Sequence, residues 1–138
     1  MKFAALTLLL ISNQVFATQW SLLGDNGLGT FFVDKSSIRR SHSILRASIT
    51  QANILLNWNE PKLLQGGLGT YYASEVSIAY FDCEKKRIGF GSRTMYSKPN
   101  AQGEVLLSPS LDYSNVKLQD VEADSTGAQM LKAICATK

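Results

Sequence analysis

Apolar and polar positions alternate along most of this chain, in short runs separated by clusters of Asn, Asp and Gly. Trp20–Leu23 and Thr30–Asp34 flank the turn Gly24-Asp25-Asn26-Gly27. Ser74–Cys83 sets Val76, Ile78 and Tyr80 against Ser77, Ala79 and Phe81, and Arg87–Ser97 places Ile88, Phe90, Thr94 and Tyr96 on one face. Runs of this kind, rich in aromatic and β-branched residues, predict strands joined by turns. Glu84-Lys85-Lys86 reads as a polar hairpin connection, and Glu104–Ser108 as a further strand after the turn at Pro99–Gly103. Ile44–Trp58 is long and apolar, but its alternation slips near Ala52-Asn53, which predicts a bulge or a break there. Only the C-terminus changes period. Ala128, Leu131, Ile134 and Cys135 fall three and four residues apart, one face of a helix. Asp124, Ser125 and Thr126 are its N-cap candidates; Thr126-x-x-Gln129 fits a capping box, with Ser125 equally placed. Hairpin-linked strands followed by one helix predict a single α+β domain: an antiparallel β-sheet, a meander of about six strands, with the C-terminal helix packed on it.

The first residues follow a different rule. Lys2 precedes an apolar run from Phe3 to Ile11, and a polar stretch then ends in Val15-Phe16-Ala17. A basic start, a short apolar stretch and a small-residue stop form a secretory signal, expected to be cut after Ala17. The run is about nine residues, against about twenty for a bilayer span, so no transmembrane span is expected. No Cys stands at the cleavage point to take a lipid. The expectation is therefore a signal peptide over residues 1–17 and an exported domain over 18–138, in the periplasm, on the cell surface or secreted.

Composition narrows the chemistry. About 120 residues suffice for one ordinary core. The charge of +3 falls to about +2 without Lys2, too little to argue for nucleic acid, which selects strongly basic domains. Cys83 and Cys135 are the only cysteines, and an even pair in an oxidising compartment predicts a disulfide. Such a bridge closes a loop of about 53 residues, worth roughly 4 kcal/mol at most in the chain-entropy picture.

No catalytic set emerges. His42 is the sole histidine; Asp34, Ser36 and Ser37 lie near it in sequence, but neither serine sits in a nucleophile elbow. With one His and both cysteines committed to a bridge, a zinc site lacks ligands. Asp82 and Glu84 flank Cys83 at a strand end and make a poor acid–base pair. No cofactor is expected. Gly27-Leu28-Gly29-Thr30-Phe31-Phe32 recurs as Gly67-Leu68-Gly69-Thr70-Tyr71-Tyr72, but two copies do not make a repeat fold and neither carries the Lys-Ser/Thr ending of a phosphate loop. Two basic clusters remain: Arg39-Arg40 with Arg46, and Lys85-Lys86-Arg87. Each sits at or beside a turn, where it keeps a sheet edge soluble or offers a patch to an acidic partner.

With those residues laid out, the chain resembles the surface-adhesin protein E family of bacterial exported proteins. Trp20 and Gly24 match its opening, and Phe32-Val33-Asp34-Lys35-Ser36-Ser37-Ile38-Arg39-Arg40 its most specific segment. Asp82-Cys83 followed by Lys86-Arg87, then Tyr96-Ser97, match the middle; Ser125, Gly127, Leu131, Lys132 and Cys135 match the closing helix. Tyr113 stands where the family usually has tryptophan, and Ala128 where a glutamate is expected. The resemblance implies an antiparallel sheet with a packed helix, a Cys83–Cys135 bridge, a role in binding host matrix or cell-surface proteins, and leaves a homodimer open. The expected function is that of a non-enzymatic exported binding protein. The alternative is a periplasmic structural or assembly factor with a bacterial partner, and a small secreted hydrolase or lysozyme-inhibitor-like protein ranks third. Arg39, Arg40, Lys85, Lys86 and Arg87 are the candidate partner-binding residues.

Overall fold

The computed structural model describes residues 18–41 and 49–136. The expected signal peptide, His42, Ile44 and Arg46 lie outside them. Eight strands form one antiparallel sheet: β1 (Trp20–Asp25), β2 (Gly29–Asp34), β3 (Arg39–Ser41), β4 (Ile49–Leu63), β5 (Tyr71–Asp82), β6 (Arg87–Lys98), β7 (Gln102–Leu107) and β8 (Gln119–Asp120). Six of them follow the order β1-β2-β4-β5-β6-β7, while β3 adds to β4 and β8 to β6. Among the described residues one α-helix, α1 (Thr126–Cys135), follows the strands. This is the α+β meander the hydrophobic pattern predicts. β3 and β8, at three and two residues, are too short to leave an alternation signal.

The predicted slip at Ala52-Asn53 is corrected. β4 pairs β5 without interruption from Ile49 to Asn57, and the register shifts only between Asn57 and Lys62. The alternation fails there because β4 is central and carries apolar residues on both faces. Ala52 and Ile54 join Val33, Ala79, Phe81 and Ile88 beneath Met130, Leu131 and Ile134 of the helix. On the reverse face of the same strand Ile49 and Leu55 are as deeply buried. A strand covered on both sides has no polar face to alternate with.

Two caps hold the ends in place. Asp34 Oδ1 accepts from the backbone N–H of Ser36 at 3.0 Å and from its hydroxyl at 2.6 Å, turning the chain out of β2. Ser125, rather than Thr126, caps the helix: its Oγ accepts from the Ala128 N–H at 3.1 Å. The Cys83–Cys135 disulfide then joins the end of the helix to the turn after β5. The reverse face over β5 and β6 is covered by an irregular segment, residues 108–118. Tyr113 meets Tyr80 edge-on at 4.8 Å between ring centroids, and a Cβ on Gly89 would lie 2.8 Å from the Lys117 carbonyl oxygen. This segment leaves open the part of the reverse face around Asn53, Val76 and Tyr96.

Candidate functional site

The strand register decides where the five candidate cations go. Residues directly opposite each other in antiparallel strands point to the same face. Arg40 pairs with Thr50, which pairs with Phe81 of the helix-covered face; Arg39 pairs with Gln51 and points to the reverse face. Both are exposed and belong to the same end of the sheet as the β5–β6 turn. The two arginines therefore leave β3 toward opposite faces of the sheet.

Lys85 and Lys86 are exposed in that turn, whereas Arg87 is committed to the fold. Its guanidinium donates to Asp82 Oδ2 at 2.8 Å, and the Lys85 N–H donates to Asp82 Oδ1 at 3.0 Å. Burial by itself would raise the Asp82 carboxyl, which is 4% exposed. The two hydrogen bonds and the charges of Arg87 and Lys85 outweigh that and hold it below the usual carboxylate range. The bond to Asp82 correspondingly holds the Arg87 guanidinium above its ordinary value. Lys86 lines a hollow of about 540 Å³ beside the disulfide, together with Glu122 and Lys132. Lys132 matches the family's closing helix but is not among the partner-binding candidates drawn from the sequence. The signal was there: it lies one helical turn before Cys135, and the bridge draws that turn toward Cys83 and so toward Lys86.

A second concave site lies on the reverse face, and no local motif announces it. Trp20 pairs with Asp34, Asn53 with Ile78, Leu55 with Val76 and Ser74 with Tyr96. These pairings put Trp20, Asp34, Asn53, Val76 and Tyr96, from five strand positions, on one face. The β6–β7 turn curls over them. Asn57 Nδ2 donates to Asn100 Oδ1 at 2.7 Å, and the Asn100 N–H returns a bond to Asn57 Oδ1 at 2.8 Å. Ser74 Oγ donates to the Lys98 carbonyl at 2.6 Å and accepts from the Ala101 N–H at 3.1 Å. Asn100 and Ala101 adopt φ of +62° and +56°, in the left-handed region that disfavours side chains. The cleft, open to solvent on one side, measures about 410 Å³.

Among the described residues no three His, Cys, Asp or Glu side chains approach closely enough to hold a metal ion. No described helix is long and apolar enough to cross a membrane, which says nothing of strands. Of the paired aromatics, Phe31 packs against the core, while Tyr71 is exposed.

Comparison with known proteins places this arrangement. The family model described as surface-adhesin protein E matches residues 20–136. Among solved structures, one of Haemophilus influenzae protein E superposes with a TM-score of 0.61 at 16% identity, covering 85% of this chain and 83% of that one. A crystal structure of protein E from non-typeable Haemophilus influenzae gives the same score and identity, covering 92% of this chain and 82% of that one. At such identity these structures speak for the fold alone. No curated protein sequence matches the chain.

Proposed function

This chain belongs to the surface-adhesin protein E family, which makes it an adhesin-like surface protein, and we propose that it is an exported, non-enzymatic protein that binds host matrix or cell-surface proteins. The observation that carries the proposal is the extent of the family match, which runs through nearly the whole described domain from Trp20 in β1 to Cys135 at the end of the helix. The binding surface in this reading is the end of the sheet that carries Lys85 and Lys86, with Lys132 added by the disulfide-tethered helix. Arg39 and Arg40 flank it on the two faces of β3. Arg87 serves the turn rather than the partner. Such a cluster suits an acidic protein surface, where it steers encounter more than it adds affinity.

Two measurements test the proposal. A membrane-impermeant label applied to intact cells should reach the protein, and the purified protein should bind immobilised matrix proteins more strongly at low salt than at high salt. Labelling only after the outer membrane is opened would favour a periplasmic assembly factor. Absence of matrix binding by surface-exposed protein would remove the host partner.

A further inference from the structure

We propose that the cleft on the reverse face of the sheet is a binding site for a neutral saccharide. It is distinct from the basic end of the sheet, and the proposal does not depend on that end binding a host protein. The cleft is a bounded space of about 410 Å³, within the range of small-molecule sites, about 300–1,000 Å³. Its lining combines two aromatic residues, Trp20 and Tyr96, with three carboxamides, Asn53, Asn100 and Gln102.

A pyranose ring offers an apolar face of C–H groups and a rim of hydroxyls, each both donor and acceptor. Aromatic rings suit the first. Carboxamides suit the second, because each presents an acceptor oxygen and two N–H donors, whereas a carboxylate only accepts. Among the described residues the side-chain amides of Asn53 and Gln102 and the Trp20 indole have no protein hydrogen-bond partner, although Asn53 and Trp20 are half-buried. Asn100 is held in place through its Oδ1 and backbone N–H by Asn57, which leaves its own Nδ2 to meet a guest.

Charge does not favour an anionic guest. Asp34 is the charged side chain lining the cleft, and its Oδ1 already accepts twice from Ser36. Thr18 also lines the cleft, and cleavage after Ala17 would place its α-ammonium there, so the lining carries no net charge to attract a sulfated or sialylated sugar. The β6–β7 turn, whose positive φ at Asn100 and Ala101 is ordinary hairpin geometry, is pinned to Asn57 and Ser74, so this wall of the cleft is in place before a guest arrives.

The test is a nuclear magnetic resonance titration of the exported protein with uncharged disaccharides: maltose, cellobiose, lactose, N-acetyllactosamine and diacetylchitobiose. At millimolar concentrations at least one should shift the Trp20 indole and the side-chain amides of Asn53, Asn100 and Gln102, while a heparin disaccharide leaves them unmoved. Asn53→Asp keeps the shape and removes the donors, at the cost of a second carboxylate beside Asp34; Gln102→Ala changes the exposed first residue of β7, which no core contact needs. Each should weaken the sugar about tenfold, the loss of roughly one good hydrogen bond, Gln102→Ala with an unchanged melting temperature and Asn53→Asp with a lower one. Lys85→Glu with Lys86→Glu should bind sugar as the parent does. The assignment falls if none of the five disaccharides shifts the cleft, if the shifts lie elsewhere, or if folded Asn53→Asp and Gln102→Ala both bind unchanged.

Discussion

Within three residues of the β5–β6 turn, Asp82 separates two kinds of cation. Arg87 gives its guanidinium to a buried carboxylate, while Lys85 and Lys86 keep their ammonium groups in water. Truncating Arg87 leaves Asp82 short of a charged partner, so Arg87→Ala should lower the denaturant midpoint, and by more than either lysine change. Lys85→Glu and Lys86→Glu should each stay within about 0.5 kcal/mol, as surface changes usually do. The pair also fixes a pH dependence. Because the folded Asp82 value lies below its unfolded value, the unfolded chain binds the proton first, and the stabilisation is present above about pH 4. It is lost as the pH falls through the depressed folded value. The stability gap between the parent and Asp82→Asn should therefore be constant near neutrality and close below about pH 4. Sequence spacing showed the three basic residues together, but not which of them faced Asp82. That choice is made by the Asp82–Arg87 pairing at the mouth of the hairpin, which a run of basic residues does not encode.

At the scale of elements, most strand and helix positions were legible from their apolar patterns. β4 and β5 are buried on both faces, and in β4, with Ile54 under the helix and Leu55 buried on the reverse face, neighbouring positions are both apolar. β6 shifts register opposite Ser77–Ala79, so Ile88 and Phe90 face the helix while Thr94 and Tyr96, expected on the same face, turn to the reverse side. The bridge was legible from cysteine count and compartment. Cys83→Ser and Cys135→Ser should each lower stability by similar amounts, at most roughly 4 kcal/mol, since each opens the same loop. Denaturant melts of both variants check this, and the unreduced parent should yield no titratable thiol. Residues 108–118 were not legible, since beyond the one 3₁₀ turn Tyr113–Asn115 they form no periodic element and are held by contacts to glycines on β6. Gly89→Ala tests that contact. The added methyl group would press on the Lys117 carbonyl oxygen and the Val116 side chain, so the variant should lose about 1–3 kcal/mol. Hydrogen exchange should then rise across residues 108–118 more than across the helix.

At the scale of the whole molecule, the charge is too small to steer a partner by itself, so any electrostatic attraction must come from how the cations are placed. The fold places them unevenly. The β5–β6 turn projects Lys85 and Lys86 from one end of the sheet, and the disulfide brings the last turn of the helix, with Lys132, to the same hollow as Lys86. The reverse-face cleft has Asp34 as its one charged side chain among the lining residues. The family resemblance made the overall assembly legible, but it could not show that Arg40 and Arg39 diverge or that Asn53 and Asn100 converge, since both follow from register between distant strands. If the basic end meets an acidic matrix protein, its effect belongs to the encounter. Reversing Lys85, Lys86 and Lys132 together should slow association about tenfold at low ionic strength while changing dissociation little. Near 1 M salt, where the screening length falls to about 3 Å, parent and variant should associate at the same rate. Surface plasmon resonance on an immobilised matrix protein across a salt series measures both limits. Equal rates for parent and variant at every salt concentration would show that the partner is captured elsewhere on the molecule.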